Sequence, residues 1–312
     1  MRKRLLIATR VVLALAASAA QAVDKPLNSI GITVGSLGNP FFVTIAKGAE
    51  VKARQINPNA RVTAVSSDYD LNKQFTQIEN FISARVDLIL LNAADAKAIE
   101  PAVKKAQKAG IVVVAVDVAA AGADATVQTN NVHAGELACD YIARKLNGKG
   151  NVIIQNGPQV SAVIDRVKGC KVVFAKSPGI KVLSDDQDAK GSREGGLNVM
   201  LGHLTRFPQI DAVFTINDPQ AIGTDLAAKQ LKRKGIVIAS VDGAPDIEVA
   251  LRSDTMVEAS ASQDPWVMAQ TGVEIGYGIM NGRKPANPMI LMSSTLVTRD
   301  SVKAYKGWSS PR

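Results

Sequence analysis

The feature that most constrains this chain is a rhythm of short, continuous apolar runs separated by longer amphipathic stretches. Runs rich in β-branched residues fall at 30–35, 62–66, 87–91, 111–116, 152–155, 180–184, 212–216 and 236–241. Runs that are apolar throughout, rather than alternating, suit parallel strands buried on both faces. Between them lie helical patterns such as Lys73-Phe75-Ile78-Phe81-Ile82 and Ile99-Val103-Ala106. The helical stretches close on Ala109-Gly110, Gly148-Lys149-Gly150 and Lys234-Gly235, the punctuation expected of a helix end. Repeated β-α units build open parallel sheets sandwiched by helices. Eight such strands exceed one doubly wound half, so the expected fold is α/β with two Rossmann-like lobes.

The N-terminus does not take part in this rhythm. Arg2, Lys3 and Arg4 precede an apolar stretch, and Ala20-Gln21-Ala22 has the small-x-small pattern of a signal-peptidase site. Residues 1–22 are therefore expected to be an export signal cleaved near Ala22-Val23, with the mature chain in an oxidising compartment such as the periplasm. Removing Arg2, Lys3, Arg4 and Arg10 lowers the formal charge from +9 by four, to +5. The basic clusters that remain, Lys104-Lys105-Lys108 and Lys232-Arg233-Lys234, lie near expected helix ends, where cations complement the dipole. No aromatics interleave with them to stack on bases, so no nucleic-acid partner is expected. No later segment has the roughly 18 to 20 apolar residues needed to span a bilayer.

Polar residues follow the apolar runs. Asn39 stands in Gly38-Asn39-Pro40-Phe41-Phe42, Asn92 follows Leu91, and Asp117 follows Val116. Asn217-Asp218 follow Ile216, and Asp242-Gly243 follow Val241. In open α/β sheets the ligand crevice lies at the carboxyl ends of the strands. Any one of these residues could simply cap the next helix. Five together, with no His, Cys or Lys nucleophile among them, point to a pocket for hydroxyl groups. Sugar hydroxyls donate and accept, so carboxylates and planar amides can pair with them. Arg166 adds a donor fork, Gln263 another amide, and Phe41-Phe42 flat apolar faces.

These motifs, in this order, resemble ribose-type periplasmic sugar-binding proteins, the solute receptors of ABC importers with a cluster B, type I binding-protein fold. The resemblance covers essentially the whole mature chain. It implies two lobes joined by a three-segment hinge, with crossings near Thr129-Asn130, Gln263-Asp264 and Ile290-Leu291. The lobes would comprise 23–129 plus 264–290 and 130–263 plus 291–312. The ligand-binding roles it implies fall on Asn39, Phe41, Phe42, Asn92, Asp117, Arg166, Asn217, Asp242 and Gln263. It implies a monomeric receptor that delivers a pentose, hexose or polyol to an inner-membrane permease. Three positions depart from the family pattern: Val118 stands where Arg is usual, and Gly191 and Val241 where aromatics are usual. Arg193 or Asp188 could refill the space, although a solvated helix start explains them as well.

Other classes fit less well. His133 and His203 lie in no zinc motif, and no nucleophile elbow, dinucleotide loop or Walker loop is present, so neither catalysis nor a cofactor is expected. Asp117 and Asp242 could pose as a glycosidase pair, but two carboxylates binding hydroxyls need no turnover. Asp186 as the first position of a calcium loop would put Lys190 and Leu197 where oxygen ligands are required. A sugar-responsive repressor would carry a helix-turn-helix where the export signal stands. A receptor for a sugar-like signal molecule stays open. Cys139 and Cys170, on consecutive expected helices of an exported chain, are a possible disulfide.

Overall fold

The computed structural model describes residues 24–308, and the expected export signal lies outside these described residues. The first half of the chain runs β1 (Ser29–Val34), α1 (Pro40–Ile56), β2 (Arg61–Ser66), α2 (Leu71–Ser83), β3 (Leu88–Leu91), α3 (Glu100–Lys108), β4 (Val112–Val116) and β5 (Ala125–Thr129). It continues with α4 (Asn131–Lys145), β6 (Lys149–Gln155), α5 (Ser161–Ala175), β7 (Gly179–Ser184), α6 (Arg193–Arg206), β8 (Ala212–Thr215), α7 (Asp218–Gln230) and β9 (Val237–Asp242). The last elements are α8 (Pro245–Leu251), β10 (Val257–Ser262), α9 (Pro265–Met280), β11 (Met289–Met292) and β12 (Leu296–Thr298).

The strands form two six-stranded sheets, ordered β11-β5-β4-β3-β1-β2 and β12-β10-β9-β8-β6-β7. All pairings are parallel except β10 with β12. In each sheet the chain starts inside and winds both ways, so β1 lies between β2 and β3, and β6 between β7 and β8. Those are the topological switch points, where the βα loops diverge and leave a crevice. All six residues of β1 are buried, as befits a strand covered on both faces. Ile30, Ile32 and Ile45 meet Met268 and Val273 of α9 in one apolar cluster, so α9 returns to cover the first sheet.

Three segments join the lobes: β5 to α4, β10 to α9, and β11 to β12. The third crossing differs from expectation. Leu291 and Met292 pair with Gln128 and Thr129 in the first sheet, so the chain crosses at 293–295 and not at Ile290-Leu291. The segments bond to each other: Asn130 N–H donates to Met292 O at 2.9 Å, and Ser262 N–H to Thr295 O at 2.7 Å. The C-terminal segment is a second difference, because Trp308 does not stay with the second lobe. Its indole packs edge-on against Phe41, centroids 5.7 Å apart, and its Nε1–H donates to Gln263 O at 3.0 Å. A large amphipathic ring takes the site that buries its face and satisfies its N–H.

Within the second lobe, α4 and α5 pack very closely. A Cβ at Gly135 would lie 2.1 Å from Arg166 O, and one at Gly169 2.0 Å from Val132 O. Cys139 and Cys170 are bonded across the same contact, Cα atoms 5.1 Å apart. Among the described residues no helix is long and apolar enough to cross a membrane.

Candidate functional site

The switch points of the two sheets face each other, and the cavity between them is lined by Asn39, Phe41, Phe42, Asn92, Asp117, Arg166, Asn217, Asp242 and Gln263. All nine residues singled out in the sequence therefore border one space. The lobes touch across it: Ala119 N–H of the first donates to Ser161 Oγ of the second at 2.8 Å.

Asp117 is the centre of the first-lobe side. It follows β4 with φ of 68°, a left-handed conformation that short Asn and Asp side chains tolerate best. Its Oδ2 accepts from Asn92 Nδ2 at 2.9 Å, whereas Oδ1 is buried and has no hydrogen-bond partner. Burial pushes the Asp117 carboxyl up to about 6, with Arg166 pulling it down and Asp242 adding to the rise. A buried carboxylate oxygen left unpaired costs free energy unless something fills the cavity and donates to it. Asn92 borders the cavity and supports Asp117. Its Oδ1 accepts from Gly35 N–H at 3.0 Å, and its amide is spent on Asp117 and Val116 O.

On the second-lobe side, Arg166 projects from α5 and is 4% exposed. Its Nε donates to Asn131 Oδ1 and its Nη1 to Ile216 O, both at 2.8 Å. Nη1 also lies 3.6 Å from Asp242 Oδ1. The guanidinium is thus fixed in plane, and its Nη2 makes no hydrogen bond among the described residues. Asp242 ends β9 with a strained φ of 141°. Its Oδ1 accepts from Gln263 Nε2 at 2.7 Å. Burial raises its carboxyl to about 6 against the pull of Arg166 and Gln263. Gln263 in turn accepts from Thr129 Oγ1 at 2.7 Å, so one amide links the second-lobe carboxylate to the end of β5 at the hinge.

Two of the asparagines also cap helices. Asn39 Oδ1 accepts from Phe41 N–H at 3.0 Å, and Asn217 Oδ1 from Gln220 N–H at 3.1 Å. Capping fixes these side chains at the cavity edge, where Asn39 keeps its amide hydrogens unspent. Asn217 gives one of its own to Gly191 O. Asp218 has a structural role: it accepts from Ser240, Ser260 and Ala244 N–H, tying β9 and β10 to the start of α7. Burial, then the neighbouring Asp242 charge, holds its carboxyl well above the usual range. Phe41 and Phe42 meet edge to face at 5.4 Å and supply an apolar wall.

The positions that depart from the family pattern resolve differently. Val118 and Val241 are fully buried core residues and do not line the cavity. Gly191 does line it. Neither Arg193 nor Asp188 refills the space beside it: Arg193 pairs with Asp246 at the surface, and Asp188 accepts from Lys190 N–H. Of the residues missed from the sequence, Pro158, Val160, Ala162, Val163 and Ile216 add apolar wall, and Tyr69 reaches the cavity from the β2–α2 loop. The signal was an aromatic between Asp68 and Asp70 just beyond the carboxyl end of β2.

Residues 30–284 match the family described as periplasmic binding protein domain. The chain is 33% identical over 271 residues to the ribose import binding protein of Bacillus subtilis, spanning 83% of this chain and 86% of that one. It is 32% identical over 286 residues to the xylitol-binding protein of Mycolicibacterium smegmatis, spanning 90% and 80%. An ABC transporter periplasmic solute binding protein from Actinobacillus succinogenes, solved with bound D-allose, superimposes with a TM-score of 0.81 at 27% identity, spanning 89% of this chain and 100% of that chain. The chain belongs to the periplasmic binding protein family, which makes it a receptor of ABC import and not an enzyme.

Proposed function

We propose that the chain is an exported receptor that captures one neutral monosaccharide or sugar alcohol between its lobes and hands it to an ABC import permease. The observation that carries this reading is the buried, unpartnered Asp117 Oδ1 facing a cavity whose opposite wall holds Arg166 and Asp242. A neutral polyol supplies hydroxyl donors to the carboxylates and acceptors to Arg166 and Asn39 at once. Relatives are named for ribose and xylitol, and a structural neighbour holds D-allose, all within this ligand class.

Binding works by hinge closure. The nine cavity residues contact ligand from both lobes only when these are closed, so ligand shifts the equilibrium by that difference in affinity. The moving bodies are 24–129 plus 264–292 and 130–263 plus 296–307, with Trp308 anchored at the hinge. The export signal is removed near Ala22-Val23, and the mature receptor works in the periplasm as a monomer. A thermal-shift screen of aldoses, ketoses and polyols tests the reading. A ligand at a hundredfold excess over its Kd adds about 2.7 kcal/mol to the folded state. A flat response across the screen would refute it.

A further inference from the structure

Tyr69 stands between two spaces. It lines the inner cavity with Asp117, Arg166 and Asp242, and it also lines an outer hollow at the cleft mouth bordered by Ser36, Lys190 and Arg193. Among the described residues, only Asn39, Tyr69 and Gly191 border both. The ring lies directly on Gly35, where a Cβ would come within 2.4 Å of it. At its far end the hydroxyl is 3.9 Å from where a Cβ of Gly191 would stand, on the opposite lobe. The side chain thus reaches across the cleft to van der Waals distance of the position a Gly191 Cβ would take.

The loop is built to hold it there. Asp68 and Tyr69 both have positive φ, 53° and 59°, an uncommon conformation for such residues. Asp68 is pinned by Ser66 Oγ and Lys73 Nζ, each at 2.6 Å, and Asp70 N–H donates to Ser67 O at 2.9 Å. Asp70 then caps α2 through Lys73 N–H at 3.0 Å. Burial and the charges of Asp117 and Asp242 push the Tyr69 phenol up, so it remains a hydroxyl donor. Among the described residues that hydroxyl makes no hydrogen bond.

We propose that Tyr69 is a specificity-determining residue: its ring divides the inner cavity from the outer hollow, restricting the ligand to a single unextended sugar or polyol, and its hydroxyl donates to that ligand. The assignment rests on the receptor reading above. Two variants separate the roles. Tyr69→Phe keeps the wall and removes the donor. Tyr69→Gly removes the wall and suits the left-handed backbone, so the loop should keep its shape. Calorimetric titration compares wild type and both variants on D-ribose, xylitol and D-allose, with methyl β-D-ribofuranoside and sucrose as extended probes.

Wild type binds at least one single-unit probe and discriminates against the extended ones. Tyr69→Phe weakens the single-unit probe about tenfold, the loss of one hydrogen bond. Tyr69→Gly weakens it further and shrinks the ratio between single-unit and extended probes at least tenfold. Variants that stay within twofold of wild type on the single-unit probe overturn the assignment, as does a Tyr69→Gly protein with an unchanged ratio. A wild type that binds none of the probes overturns the receptor reading itself, and the assignment with it.

Discussion

Asp117→Asn should make the empty protein more stable while weakening its binding. The substitution keeps the shape, and an asparagine is well suited to the left-handed φ of 68°. The new amide can turn its oxygen toward Asn92 Nδ2, preserving that bond and placing its own nitrogen where the unpartnered Oδ1 now sits. A carboxyl raised from 3.8 to about 6 by burial carries about 3 kcal/mol of penalty when ionised. The native state then favours the protonated form. The penalty is absent below pH 3.8, grows as pH rises toward about 6, and is complete above it. At pH 7.5 without ligand, Asp117→Asn should therefore raise Tm by roughly 3–6 °C, and the advantage should vanish near pH 4. The same change puts a donor where ligand hydroxyls need an acceptor. Losing a charge-assisted bond of about 1.5–3 kcal/mol weakens binding roughly 10- to 100-fold. Wild-type affinity should also decline as pH falls through about 6, where Asp117 and Asp242 take up protons. Differential scanning fluorimetry across pH, paired with calorimetry, reads both effects. A variant no more stable than wild type at pH 7.5, or one that binds equally well, would refute the reasoning.

Other perturbations separate the supports of the site. Arg166→Lys cannot hold both Asn131 Oδ1 and Ile216 O, so titration should show affinity falling roughly 100-fold, and wild-type affinity would contradict the fixed-fork account. Reducing the Cys139–Cys170 bond, which closes a separation of 31 residues, should lower stability by about 3–4 kcal/mol in chemical denaturation. Because Cys170 lies one turn beyond Arg166 on α5, affinity should weaken a few-fold as well; two free thiols in denatured, unreduced protein would contradict the bridge. Gly169→Ala places a methyl 2.0 Å from Val132 O and should cost about 1–3 kcal/mol or more by forcing α4 and α5 apart. An unchanged denaturation midpoint would show that the helices yield more easily than their packing implies.

The lobes were legible in the sequence because continuous Val/Ile/Leu runs have few other uses, and the binding edge because Asn and Asp recur just beyond them. Division of labour among those residues was not legible. Asn39 and Asn217 both cap and line the cavity, Asn92 lines it while holding Asp117, and Asp218 serves the strand ends through three donors. Sequence spacing cannot say which lone pairs remain unspent. Four of the described strands are missing from the apolar rhythm: Ala125–Thr129 reads ATVQT and Val257–Ser262 reads VEASAS, weak in apolar pattern, whereas Met289–Met292 and Leu296–Thr298 are apolar but only four and three residues long. Tyr69 was not legible because an aromatic between two aspartates beyond β2 does not by itself show that its ring approaches Gly191 on the opposite lobe.

A crystal structure with the sugar or polyol that shifts Tm most tests the central claim most directly. The account predicts one ligand molecule in the cavity between the lobes, with a hydroxyl donating to Asp117 Oδ1 and others paired with Arg166 and Asp242. A ligand bound elsewhere, or touching one lobe only, would contradict it.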